Sequence, residues 1–344
     1  MWKEENGMRS SVLEKTTGSS VAAVAKPMLQ DLVSTRDLSP AEVHSVLDLA
    51  AVVKTRPADF RKTLEGKQLV MFFEKPSLRT RLTFEAGMAS LGGTAFFMDQ
   101  TGGRIDARES LYDIAHNVER WVDVIVMRTF AQATVEGMAK HARIPVINAL
   151  SDLEHPCQAL ADYFVLQERY GDLRQVTLAY VGDGNNVAHS LLLTGAALGS
   201  HVRVATPVGY EPKAEIWEAA QAMARETGAR LELFTDPKKA VAGVDAVYTD
   251  AWASMGQEQE EAMREPIFMP YQVNEKLMAC AGSDAVFMHC LPAHRNSEVT
   301  DAVMDSPQSV VFDQAEGRLH VQKAILMLLL WGGASRFPVR SAHA

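Results

Sequence analysis

Short apolar runs alternate with longer amphipathic segments along most of the chain. Apolar runs occur in the first half at residues 67–73, 94–98, 122–127 and 145–148, and in the second half at 176–181, 201–205, 231–234, 244–249, 285–289 and 310–312. Segments with helical spacing lie between many of them, and another precedes them at residues 41–54. Repeated strand–helix–strand units build parallel sheets. The pattern predicts an α/β fold with two parallel-sheet αβα domains.

One long helical segment, EHPCQALADYFVLQERY at residues 154–170, interrupts this alternation. Pro156 occupies a favoured first helical position and Gly171 would end the helix, so we expect a helix that connects the two domains. The expected division has five parts: a poorly ordered extension (1–27), a first domain (28–153), the connecting helix (154–171), a second domain (172–314) and a C-terminal helix returning to the first domain (315–344).

Composition narrows the class of partner. The formal net charge is -9, whereas nucleic acids and anionic membranes require a broad basic surface, so neither is the expected partner. Three cysteines without CxxC spacing predict neither a disulfide framework nor a zinc site, which favours a cytoplasmic location. The apolar run 324–331 is too short to span a bilayer and predicts a buried helix.

The motif SLRT follows the first apolar run and places Ser77, Arg79 and Thr80 at the start of a helix. Arginine there opposes the helix dipole unless an anion lies beside it. Free backbone N–H groups, hydroxyls and a guanidinium together suit phosphate oxygens. A second arginine, Arg128, ends another strand of the same predicted sheet, and two guanidiniums can bind one dianion.

Several further polar groups are expected at the same cleft. His155 and Gln158 open the connecting helix, where both can hydrogen-bond a small polar group. Asp250 and Ser254 follow a strand of the second domain and suit an amino-acid ligand. Cys290 ends another strand, either as a nucleophile or as a buried inert thiol.

The segment GDGNN at residues 182–186 resembles a dinucleotide-binding fingerprint. Its usual companion is an acidic residue at the end of the next strand, but that strand ends in Ala205, Thr206 and Pro207. We therefore disfavour nicotinamide binding and predict that Asn186 contacts another ligand. Arg318, which we expect just before the last helix, would bring one more arginine to the cleft.

Taken together, seven ordered motifs resemble the transcarbamylase family over residues 28–333. They are SLRT (77–80), MRTF (127–130), HPCQ (155–158), GDGNN (182–186), DAWASMG (250–256), HCLP (289–292) and EGRLH (316–320). The family commonly has a hydroxyl residue where this chain has Leu78. Arg104 replaces a glutamine that is frequent in ornithine-specific members. The resemblance implies that its loop, residues 101–109, reaches the neighbouring subunit's site.

The resemblance implies transfer of the carbamoyl group of carbamoyl phosphate to the δ-amine of L-ornithine, giving L-citrulline and phosphate, in arginine metabolism. It also implies a homotrimer or a multiple of trimers, and no metal or organic cofactor. Catalysis would fall to Arg128, His155, Asp250 and Cys290. The residues implied to bind carbamoyl phosphate are Ser77, Leu78, Arg79, Thr80, Arg104, Arg128, His155, Gln158, Cys290, Leu291 and Arg318. Those implied to bind ornithine are Asn186, Asp250, Ser254 and Met255.

Other functions stay open on the sequence alone. An aspartate-specific member would need extra cationic groups for two carboxylates, whereas Asp250 suits an ammonium. A member acting on N-acylornithine or putrescine is harder to exclude, although the SMG turn at residues 254–256 favours free ornithine. Outside the family, a nucleotide-dependent oxidoreductase would depend on GDGNN alone. A non-enzymatic binding module would leave the charged cleft residues unexplained.

Overall fold

The structure, a computed structural model, describes residues 29–100, 103–253 and 258–330. The expected extension at residues 1–27 therefore lies outside the described residues. Along the first half the elements are α1 (Pro40–Thr55), β1 (Gln68–Phe73), α2 (Leu78–Ser90), β2 (Thr94–Asp99), α3 (Leu111–Val118), β3 (Val124–Arg128), α4 (Gln132–His141) and β4 (Val146–Leu150). Their strands form one parallel sheet in the order β2-β1-β3-β4.

A single helix, α5 (Pro156–Tyr170), leads into the second half. The elements that follow are β5 (Thr177–Val181), α6 (Asn186–Leu198), β6 (His201–Ala205), α7 (Ala214–Thr227), β7 (Leu231–Phe234), α8 (Pro237–Val241), β8 (Ala246–Thr249), α9 (Glu261–Phe268), α10 (Glu275–Met278), β9 (Val286–His289), α11 (Asp301–Met304) and α12 (Val311–Leu330). A second parallel sheet has the order β7-β6-β5-β8-β9. The predicted fold class, two parallel-sheet domains with helices, is confirmed.

Local sequence accounts for several helix ends. Ser39 and Glu42 form a reciprocal capping box at the start of α1, where the Glu42 carboxylate accepts from the Ser39 N–H at 2.7 Å. Pro156 opens α5, as predicted, and Gly171 ends it with φ of 77°, a conformation that glycine adopts without steric cost. Strands β3 and β4 are buried along their whole length, as expected for central or covered strands of a parallel sheet.

The predicted strand at residues 310–312 is wrong. Pairing with β9 ends after one bridge, between Phe287 and Ser309, and the Gln314 N–H then donates to the Val310 carbonyl as the chain turns into α12. Helix α12 consequently begins earlier than expected, and Arg318 lies inside it rather than before it. This helix packs against α1, α2 and α5, so it carries Arg318 back to the first sheet.

Within the described residues, no helix has both the length and the apolar character needed to cross a membrane.

Candidate active site

Strand register brings the first group of polar residues together. Phe73, the last residue of β1, pairs with Arg128, the last residue of β3, so the chain leaving β1 enters α2 beside that arginine. Ser77 caps α2 and its hydroxyl accepts from the Thr80 N–H at 3.2 Å. Arg318 reaches the same point from α12, where its Nη2 donates to the buried Thr80 hydroxyl at 2.8 Å.

Strand pairing in the second sheet likewise brings a second group of polar residues together. Thr249 pairs with His289 at the ends of β8 and β9, and the next residues along each strand are Asp250 and Cys290. The Cys290 thiol donates to Asp250 Oδ1 at 3.0 Å, and Asn185 Nδ2 donates to Oδ2 at 2.9 Å. The Asp250 carboxylate is thus held in place from two sides.

A cavity of about 400 Å³ lies between the two groups. The predicted site residues that line it are Ser77, Leu78, Arg79, Thr80, Arg128, His155, Gln158, Asn186, Asp250, Cys290, Leu291 and Arg318. Ser254 and Met255 lie outside the described residues. The structure therefore brings most of the predicted set together, while the role of each residue stays a prediction.

Arg104 is the predicted site residue that the structure places away from this cavity. Its exposed guanidinium forms a 2.7 Å ion pair with Asp106, two residues along the chain. The expectation that this loop reaches a neighbouring subunit stays a prediction.

Three guanidiniums make the first side of the cavity strongly cationic. Burial lowers the pKa of Arg79, Arg128 and Arg318, and in Arg128 the neighbouring guanidiniums of Arg318 and Arg79 lower it further, to about 9. The charged form of each group is therefore destabilised by its surroundings. An anion placed between them would offset both the burial and the mutual repulsion.

His155 and Gln158 are buried beside the arginines. Burial, and then the charges of the three arginines, lower the pKa of His155 well below 6.5, so its imidazole is neutral at pH 7. Among the described residues, His155 Nδ1 and Gln158 Oε1 have no hydrogen-bond partner although both are buried. Because such groups are costly to leave unsatisfied, they are suited to bind a small polar group in the cavity.

Cys290 is not an activated nucleophile. Burial, together with the adjacent Asp250 carboxylate, raises the pKa of the Cys290 thiol well above 9, so the protonated form predominates. Of the two possibilities open from the sequence, the structure favours the unreactive thiol, which here donates a hydrogen bond to Asp250.

Asp250, His289 and Cys290 are close enough for a metal ion, since their potential ligand atoms lie within 4.8 Å of one another. The His289 ring, however, is already bonded on both sides. Its Nδ1 accepts from the Leu291 N–H at 2.9 Å and its Nε2 contacts Glu298 Oε1 at 3.1 Å. The arrangement fits a thiol–carboxylate hydrogen bond better than a metal site.

Among the ionisable residues that line the cavity, sequence reasoning missed two, Lys75 and His294. Lys75 lies over the Phe130 ring at 4.8 Å from its centre, and the His294 N–H donates to Glu298 at 2.6 Å. Lys75 was detectable as one more cation two residues before Ser77. His294 had no such signal, because its position depends on the turn that follows Leu291.

The structure gives the second glycine of GDGNN a role that needs no dinucleotide. In a nucleotide fold, the second glycine of the fingerprint lets the pyrophosphate approach the backbone. A Cβ atom added at Gly184 would instead lie 2.4 Å from the backbone nitrogen of Pro212 and 2.5 Å from the carbonyl oxygen of Tyr210. The glycine is needed because the chain's own backbone occupies that space.

The fold and the cavity define a two-domain α/β protein whose cavity can bind a small anion at the arginines and a cationic group at Asp250. Residues 30–168 match the family model described as aspartate/ornithine carbamoyltransferase, carbamoyl-P binding domain, and residues 174–329 match the model of the Asp/Orn binding domain. The chain belongs to the aspartate/ornithine carbamoyltransferase family.

Individual relatives are similar over nearly their full length. An ornithine carbamoyltransferase of Pyrococcus horikoshii is 50% identical over 310 residues, which cover 90% of this chain and 98% of the relative. An anabolic ornithine carbamoyltransferase of Pyrococcus furiosus is 49% identical, with 88% and 97% covered. The solved structure of the ornithine carbamoyltransferase from Pyrococcus furiosus aligns with a TM-score of 0.85 at 48% identity, covering 90% of this chain and 98% of that one.

Proposed function

We propose that this enzyme transfers the carbamoyl group of carbamoyl phosphate to the δ-amine of L-ornithine, giving L-citrulline and phosphate. The observation that carries the proposal is the opposition of three guanidiniums, Arg79, Arg128 and Arg318, to the Asp250 carboxylate across one cavity. The arginines suit the phosphate end of the donor. Asp250 suits the cationic amine of the acceptor.

The cavity supports transfer by positioning and charge stabilisation. The neutral δ-amine attacks the carbamoyl carbon, a C–N bond forms, and the bond from that carbon to the phosphate oxygen breaks. Phosphate leaves with the electron pair and takes up the proton that the amine nitrogen loses. In this proposal Arg128, His155 and Thr80 donate hydrogen bonds as negative charge develops on the carbonyl oxygen, while the cavity holds both reactants together.

The choice of acceptor follows from the second sheet. Aspartate would bring two carboxylates toward Asp250, which repels them, whereas ornithine brings an ammonium. A related solved structure, an N-acetyl-L-ornithine transcarbamylase, is 33% identical with a TM-score of 0.79, covering 88% of this chain and all of that one. It is less similar in sequence than the ornithine carbamoyltransferase from Pyrococcus furiosus, at 48% identity, which supports free ornithine as acceptor.

The deciding experiment measures citrulline and phosphate release from carbamoyl phosphate with ornithine, N-acetylornithine, putrescine and aspartate as acceptors. We expect kcat/KM for ornithine to exceed that for each other acceptor by at least a hundredfold. Equal or faster turnover of another amine would overturn the assignment of ornithine as acceptor. Release of phosphate without any carbamoylated product would overturn the proposal of carbamoyl transfer.

We further propose that residues 28–153 form the carbamoyl phosphate domain and residues 172–314 the ornithine domain, in a cytoplasmic homotrimer that serves arginine synthesis. The anabolic designation of the Pyrococcus furiosus relative supports the biosynthetic direction. Arg104 would act in the trimer, across a subunit boundary. Light scattering of the purified protein tests the trimer, and loss of activity on dissociation tests the shared site.

A further inference from the structure

We propose that Asp162 is a positioning residue for carbamoyl transfer, which fixes the Gln158 amide with its carbonyl oxygen toward the carbamoyl NH2 group. The inference deepens the proposed function and rests on it. Asp162 does not line the cavity, so it would act only through the residues that it holds.

The geometry of α5 sets the orientation of the amide. Gln158 and Asp162 lie four residues apart on this helix, and Gln158 Nε2 donates to Asp162 Oδ1 at 2.8 Å. An ionised carboxylate only accepts hydrogen bonds, so the amide nitrogen must face Asp162. The carbonyl oxygen of Gln158 then faces away from Asp162, on a side chain that lines the cavity, and it has no partner among the described residues.

The same carboxylate also bonds to the second domain. Tyr248 on β8 donates to Asp162 Oδ2 at 3.0 Å, two residues before Asp250. Gln314 on α12 donates to Oδ1 at 2.9 Å, and its own carbonyl oxygen accepts from the His289 N–H, next to Cys290. One buried carboxylate therefore connects Gln158 with the ends of β8 and β9, which carry Asp250 and Cys290.

An ionisable group at this position is costly to the fold. Asp162 is fully buried, and burial raises its pKa to about 6 despite hydrogen bonds from Gln314, Gln158 and Tyr248. Replacing Asp162 alone would leave the three buried donors without an acceptor, which is costly. The carboxylate therefore satisfies these donors and at the same time fixes the direction in which each of them points.

The test compares Asp162→Leu, which removes the acceptor at similar size, with Asp162→Asn. The asparagine keeps one oxygen for Gln158 and Gln314, and its NH2 group can donate to the Tyr248 hydroxyl, which can also accept. We expect Asp162→Leu to lower kcat/KM for carbamoyl phosphate at least tenfold and Asp162→Asn to lower it less than threefold. Inhibition by inorganic phosphate, which the arginines bind, should change less than threefold in both.

A charge exchange tests the same contact if Asp162→Leu fails to fold. Gln158→Glu alone would place two carboxylates against each other and should lower kcat/KM for carbamoyl phosphate at least a hundredfold. Adding Asp162→Asn removes one of the two like charges and should recover at least tenfold of that loss, at unchanged phosphate inhibition. Failure to recover activity would reject the direct contact as the orienting element.

The remaining outcomes are distinct. Asp162→Leu with wild-type kinetics, or with phosphate inhibition weakened as much as kcat/KM, would overturn the positioning role. Absence of citrulline formation by the wild-type enzyme, with phosphate still bound, would instead overturn the proposed function on which the inference rests.

Discussion

At the scale of single residues, Arg79 offers the cleanest test of the anion site, because it is half-buried whereas Arg128 and Arg318 are fully buried. Charge-assisted hydrogen bonds contribute about 1.5–3 kcal/mol each. Arg79→Ala should therefore raise the KM for carbamoyl phosphate and the inhibition constant of inorganic phosphate roughly 10- to 150-fold. Circular dichroism should show an unchanged fold.

Arg81→Ala provides a matched control on the same helix. Arg81 stacks on the Phe97 ring at 3.9 Å and pairs with Glu85 at 2.9 Å, and it does not line the cavity. We expect its removal to leave phosphate inhibition unchanged. Equal effects of the two substitutions would mean that general charge, rather than the position of Arg79, attracts the anion.

Asp250 is the residue that couples acceptor binding to pH. The δ-amine of free ornithine has a pKa near that of lysine, about 10.4, so the ammonium form predominates at neutral pH. A carboxylate attracts that form, but it also opposes the deprotonation that attack requires. The wild-type rate at limiting ornithine should thus rise with pH as free amine accumulates, and Asp250→Asn should raise the KM for ornithine at least tenfold.

Phosphate inhibition serves as the internal control for Asp250→Asn, since the arginines are unaltered. An unchanged KM for ornithine together with weaker phosphate binding would place the acceptor elsewhere. Cys290→Ser should preserve most activity, because a hydroxyl can also donate to Asp250 Oδ1.

At the scale of elements, the sequence predicted the presence of most strands and helices, but it assigned one segment between two elements to the wrong type. Strand β6 was predicted with its observed bounds, because its short alternating segment HVRVA lies between turn residues and is typical of a strand. The segment 310–312 was assigned to the wrong element because VVF is equally suited to a buried strand or a helix start. Only tertiary pairing with β9, which stops at Ser309, decides between them.

The same scale explains which site residues were predictable. Residues at strand ends, such as Arg128 and Asp250, could be placed because parallel strands align their carboxyl ends at one edge. The position of Cys290 at a strand end could be predicted, but its protonation state could not, because that state depends on the distance to Asp250. Asp162 gave no signal, because its partners Tyr248 and Gln314 come from elements far away in the chain.

Helix α6 packs so closely that one methyl group should disturb it. A Cβ atom at Gly195 would lie 2.2 Å from the Tyr163 hydroxyl oxygen on α5 and 2.5 Å from Val202 Cγ2 on β6. Gly195→Ala should lower the free energy of unfolding by about 1–3 kcal/mol, the usual cost of overpacking. Denaturant unfolding measures it.

Gly103→Ala is the control, since a Cβ atom there meets nothing within 4 Å. It should leave the unfolding midpoint unchanged. A stable Gly195→Ala variant would show that α5 and α6 can separate without cost.

At the scale of the whole molecule, the anion site joins distant parts of the chain. Arg79 comes from α2, Arg128 from β3 and Arg318 from α12, which follows the second sheet. Asn186 at the start of α6 also donates to the Ser151 carbonyl, which follows β4, at 2.6 Å. An anion bound among the arginines would therefore act on the relative position of both domains.

This arrangement predicts that the phosphate ligand binds first and stabilises the fold. The lowered pKa values of the three arginines mean that their charges cost stability at pH 7, a cost that falls away only as pH rises through those values. An anion that binds only the folded state should contribute about 2.7 kcal/mol at a hundredfold excess over its Kd. Inorganic phosphate should raise the melting temperature accordingly, and Arg79→Ala should reduce that shift.

Ornithine alone should leave the melting temperature nearly unchanged, because its ammonium groups meet an uncompensated cationic cavity. When phosphate is bound, it neutralises the charge of the arginines, and Asp250 can then attract the amine. Ornithine should therefore add a further shift in melting temperature. Product-inhibition kinetics should correspondingly show carbamoyl phosphate binding before ornithine. A full melting-temperature shift with ornithine alone, or random-order kinetics, would mean that the arginines do not control access of the acceptor.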